Sequence, residues 1–129
     1  MKIVLLLMIM GLIFSCGKDR EGNLCDTYLI IDSTSTPRSS TVTTGIVSII
    51  KCYGSNLCYS YTGMDIAGQP GNIFEINAKG KIPCGAPVCA QALYEVRDTV
   101  NINTAAVGTY YLKFYNNNIL LKTDTITVN

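Results

Sequence analysis

The 129-residue sequence predicts an all-β fold. Three observations carry that expectation. Short runs rich in Val, Ile, Thr and Tyr recur between clusters of Gly, Pro, Asn and Ser. No segment beyond the first fifteen residues sustains a helical period. Near the C-terminus, two runs alternate apolar and polar residues with period two around an Asn-rich turn.

The elements follow in order. "TYLIID" (27–32) is dense in β-formers. "STSTPRSSTVTT" (33–44) holds nine Ser or Thr, and Pro37 predicts a loop or a sheet edge. "GIVSIIKCY" (45–53) is an apolar strand, "YGSN" (53–56) a turn and "LCYSYTGM" (57–64) the next strand. "AGQPGN" (67–72) is a loop. "IFEINAKG" (73–80) alternates as a half-buried strand does. "KIPCGAPVC" (81–89) carries two prolines and two cysteines and reads as a sulfur-pinned loop. "AQALYEVRD" (90–98) fits helix or strand by pattern, and Tyr94 and Val96 favour strand. "GTYYLKFY" (108–115) puts Tyr110, Leu112 and Phe114 on one face and Tyr111, Lys113 and Tyr115 on the other. "NNN" (116–118) turns the chain. "ILLKTDTITVN" (119–129) returns it, with Thr123, Thr125 and Thr127 opposite Ile126 and Val128.

About seven short, regularly spaced strands in this length predict an immunoglobulin-like antiparallel β-sandwich over 25–129. "VGTYYLKF" resembles the Gly-x-Tyr-x-Leu pattern of the penultimate strand of such domains. The resemblance makes Tyr110 the tyrosine whose hydroxyl ties a corner of the sandwich.

The N-terminus has the layout of an export signal. Lys2 supplies charge, Ile3 to Phe14 form an apolar run, and Ser15 is small. A transmembrane helix needs about 20 apolar residues, more than this run offers. "IFSC" (13–16) resembles the lipobox of bacterial lipoproteins, with Ile13 and Ser15 matching and Phe14 bulkier than the strictest pattern. The resemblance implies that 1–15 is a cleaved lipoprotein signal peptide and that Cys16 is lipidated. Residues 16–24 then form a tether, and the membrane is a partner through the acyl chains. A plain secretory signal with Cys16 left as a thiol is the alternative. "GKDRE" (17–21) resembles the charged tag of surface-exposed Bacteroidetes-type lipoproteins; as a bare sequence it is a solvated tether. "SNLC" (55–58), "AKGKIPCGAPVCAQ" (78–91) and "GTYYLKF" together resemble small Bacteroidetes-type lipoproteins with a β-sandwich domain. That resemblance implies an outer-membrane lipoprotein of the cell envelope and supplies no activity.

With Cys16 modified, Cys25, Cys52, Cys58, Cys84 and Cys89 remain. Two bonds and one leftover thiol can be drawn in fifteen ways. Local spacing allows Cys52–Cys58 across a hairpin and Cys84–Cys89 across the proline loop. The lipoprotein resemblance favours Cys58–Cys89. Gaps of five and four residues and the absence of histidine argue against zinc. A redox protein using Cys84 and Cys89 is the enzymatic alternative, and against it "CGAPVC" departs from the Cys-x-x-Cys of thiol oxidoreductases and sits in a proline-broken loop.

Composition excludes more than it identifies. There is no histidine, hence no Ser-His-Asp or Cys-His centre. Lys plus Arg is 10 and Asp plus Glu is 9, which gives no electrostatic footprint for nucleic acid. No cofactor or metal is expected. Eight tyrosines admit a glycan-binding platform, with Tyr53, Tyr59 and Tyr61 near one turn and Tyr111 and Tyr115 on one face. The expectation is a non-catalytic envelope module whose partner is a glycan or another envelope protein.

Overall fold

A computed structural model describes residues 22–85 and 88–129. The expected signal peptide at 1–15, Cys16 and the charged tract 17–21 lie outside the described residues. The chain forms β1 (Leu24–Ser35), β2 (Ser39–Ser40), β3 (Ile46–Gly54), β4 (Ser60–Gln69), β5 (Ile73–Pro83), β6 (Tyr94–Ile102), β7 (Gly108–Asn116) and β8 (Ile119–Val128). No helix occurs among the described residues.

The strands make one curled sheet in the order β2-β8-β7-β5-β1-β3-β6, with β4 on the remaining edge of β5. Two strands organise it. Residues 24–29 of β1 pair with β5, and residues 30–35 pair with β3. A bulge at Asp32 interrupts the second ladder, and such an insertion bends and twists a strand. β5 carries β4 along one edge; its other edge holds β7 at 73–77 and β1 at 78–83.

The sheet is mixed, which corrects the antiparallel, seven-stranded expectation. β5 and β7 run parallel because the chain between them crosses to the far arm as β6. A parallel pair needs a crossover of about a dozen residues or more, and residues 84–107 supply it. The Ser/Thr-rich segment contributes the two-residue β2, parallel to β8. The loop expected at 67–72 shrinks to Pro70–Asn72, because Ala67–Gln69 extend β4. Gly71 and Asn72 both take positive φ there.

The core lies on the concave side. β3 sends Ile46, Ile50 and Cys52 inward, β7 sends Tyr110, Leu112 and Phe114, and β8 sends Ile126 and Val128. Ile76, Ala78, Leu29, Ile31, Val100 and Ile102 complete it. Burying one side chain such as Phe114 or Leu112 contributes roughly 1.5–3 kcal/mol. Ser48 is fully buried among them; its hydroxyl shares a 2.7 Å hydrogen bond with Thr36. Tyr110 donates its hydroxyl to the Ala106 carbonyl at 2.9 Å.

Where β1 leaves β5, a side chain replaces a strand. Asn116 Oδ1 accepts from the Ile31 amide at 2.8 Å, and Asn116 Nδ2 donates to the Ile31 carbonyl at 3.4 Å. The amide of Asn116 thus satisfies both backbone groups of Ile31 as a neighbouring peptide would.

Candidate functional site

Strand directions bring five chain ends to one end of the sheet: the starts of β1, β4 and β6 and the ends of β3 and β5. Leu24 pairs with Pro83, Ser60 with Lys81 and Gly54 with Tyr94. Two disulfides staple this end. Cys25–Cys84 joins β1 to the chain leaving β5, with Cα atoms 5.2 Å apart. The Cys84 amide also donates to the Asn23 carbonyl at 2.8 Å. Cys58–Cys89 joins the β3–β4 turn to the chain entering β6, with Cα atoms 5.6 Å apart. Beside it, the Leu57 amide donates to the Ala90 carbonyl at 3.2 Å.

The pairings Cys52–Cys58 and Cys84–Cys89, allowed by local spacing, do not form. Cys52 sits on the inward face of β3 beside Ile50 and is fully buried, while Cys58 lies in the turn beyond the strand. Cys84 and Cys89 are each bonded to a different part of the chain. The thiol of Cys52 is free; burial, and secondarily the charge of Asp98, push it up to about 11.

Above the staples, a polar seam joins the edges β4 and β6. The Tyr61 hydroxyl donates to Asp98 Oδ2, and the Tyr61 amide donates to the Tyr94 hydroxyl at 3.2 Å. Burial first, then the bond to Asp98, hold the Tyr61 phenol well above its usual range. Among the described residues, no group of three or more His, Cys, Asp or Glu side chains is arranged to hold a metal.

A cleft opens beside the first half of β1. Asp26, Thr27, Tyr28, Thr62, Lys79 and Gly80 line a space of about 290 Å³. A second hollow of about 470 Å³ shares Asp26, Thr27 and Tyr28 and extends to Ile30, Tyr59 and Asn117. Register makes the cleft: Tyr28 stands opposite Lys79, and Asp26 opposite Lys81. Lys79 is held by Asp65 at 3.2 Å. Alternation along β1 puts Asp26 and Tyr28 on one face with Lys79, so a carboxylate, a phenol and an ammonium offer donors and acceptors there. That set suits a hydroxylated ligand and contains no nucleophile–base pair.

The tyrosines that would admit a platform are spread over β3, β4 with the turn before it, and β7. Tyr59 and Tyr61 pack against the core, Tyr53 lies beside Ile30 in the β1–β3 ladder, and Tyr111 and Tyr115 belong to β7. Tyr115 reaches Glu75 at 3.4 Å, and its phenol is raised by desolvation first and then by that carboxylate. Tyr28, Asp26 and Lys79 were not singled out by the sequence, since only the β1–β5 pairing joins them.

Set against protein-family models, curated proteins and solved structures, the chain matches none.

Proposed function

We propose that the protein is a lipid-anchored module of the bacterial cell envelope that binds or supports a partner without catalysing a reaction. One observation carries this reading: an apolar run closed by Ser15-Cys16 precedes a domain stapled by two disulfides. Disulfides persist in oxidising compartments outside the cytosol, and multiple acyl chains give stable anchoring where one does not. The domain is read as an immunoglobulin-like sandwich whose two faces share β1. The Tyr110 tie and the parallel β2–β8 pair support this, and the parallel β5–β7 pair departs from it. The cleft at Tyr28 is the proposed contact for a glycan or a second envelope protein.

Intact mass of the protein purified from bacterial membranes tests the anchor. The expected species begins at Cys16 and carries acyl chains, and Cys16→Ser abolishes that species. An unmodified chain from Met1 or from Cys16 refutes the anchor. Glycan arrays and envelope pull-downs test the cleft. Retention that falls with Tyr28→Ala supports it, and retention indifferent to that change removes the cleft from the proposal.

A further inference from the structure

The geometry points to the stapled end of the sheet as a lipid-facing surface, seated on the bilayer that holds Cys16. This inference rests on the anchor reading above. Four apolar side chains project there: Leu24 at the start of β1, Leu57 in the β3–β4 turn, and Val88 and Leu93 between β5 and β6. Each exposes half or more of its surface, and Val88 all of it. Pairing gathers them at one end. Leu24 lies opposite Pro83, the Leu57 amide is bonded to Ala90, and Leu93 precedes Tyr94, the partner of Gly54. The two disulfides stand between these segments and fix their spacing.

Asymmetry and reach identify what covers them. Among the described residues, two other large apolar side chains expose half or more of their surface: Val107 at the opposite end and Ile119 at the β7–β8 turn. The eight residues from Cys16 to Leu24 span at most about 28 Å when fully extended. The eleven residues of β5 run about 36 Å along the sheet. A thioether at the bilayer surface therefore keeps the stapled end within about 28 Å of the lipid, with the Val107 end a strand's length farther along the sheet. The four side chains come from three separate segments and are all exposed. A plane of apolar tails beneath headgroups accepts such a set, as it accepts the apolar face of an interfacial helix.

The natural chain has no tryptophan, so a single introduced tryptophan reports its own surroundings. The test uses the lipidated protein reconstituted in phosphatidylethanolamine–phosphatidylglycerol vesicles, with and without brominated acyl chains. Val88→Trp and Leu57→Trp are expected to emit to the blue of a water-exposed indole and to lose most of their emission to bromine. Val107→Trp is expected to keep the emission of an indole in water. With acyl chains verified by mass, equal quenching at 88 and 107, or none at 88 and 57, overturns the orientation and leaves the anchor standing. A mass without acyl chains overturns the anchor reading, and the orientation falls with it.

Discussion

Replacing Cys25 and Cys84 together by serine is expected to be among the costliest changes the surface can suffer. Both residues are exposed, so the exchange leaves neither a cavity nor a buried hydroxyl. The loss is that of the covalent link, which closes a loop of 59 residues. Loop-closure entropy for that length amounts to about 4 kcal/mol, and the 31-residue loop of Cys58–Cys89 to slightly less. The local pairs Cys52–Cys58 and Cys84–Cys89 would each have given only about 2 kcal/mol by the same reckoning. A domain of about 100 residues loses roughly 4–8 °C of Tm per kcal/mol, so the variant should melt roughly 15–30 °C lower. Urea unfolding followed by circular dichroism, without reductant, measures the free energy directly. The two loops overlap, so each bond shortens the loop the other closes, and removing both should cost more than the two single losses together. A variant as stable as the parent would refute the pairing. So would a Cys52→Ala protein that had lost one of its two bonds by mass.

Three further outcomes are expected. Stability should fall as the pH rises above about 9. The unfolded thiol of Cys52 ionises near its ordinary 9.0, while the folded one keeps its proton to about 11. The folded state then binds the extra proton, so this thiol contributes a slope approaching about −1.4 kcal/mol per pH unit, and Cys52→Ala should remove the fall between about pH 9 and 10, below the range where the raised phenol of Tyr61 adds its own. Asn116→Ala strips both backbone groups of Ile31 of their partner and should cost about 2 kcal/mol in urea titrations, whereas a change within 0.5 kcal/mol would remove its bridging role. Gly80→Ala would bring a Cβ to 2.3 Å from Leu29 Cδ1 and 2.6 Å from the Ser60 carbonyl oxygen. That crowding should lower stability by about 1–3 kcal/mol, and an unchanged Tm would show that β4 and β5 have room to part.

The β7–β8 hairpin was legible because its period is two and its turn residues suit it: Asn117 and Asn118 both take positive φ, as a tight hairpin turn requires. The same parity on β3 held a clue to Cys52. It shares the alternation of Ile46 and Ile50, which turns its thiol into the core and away from the turn that carries Cys58. The division of β1 and the parallel course of β7 were not legible, since both depend on strands brought together from 38 to 59 residues apart. The Tyr28 cleft inherits that blindness. Its residues become neighbours through register, and no motif in the sequence marks them.

The position of Cys25 has a mechanical consequence. A pull on the chain ahead of Leu24 reaches the sulfur bridge one residue into β1 and passes through Cys84 to the tail of β5. The hydrogen-bonded rungs from Asp26 to Leu29 lie behind that bridge and are shielded from being unzipped one at a time. Load instead enters the strand with three neighbours, and the domain is built to be tugged by its leading end without unravelling from it.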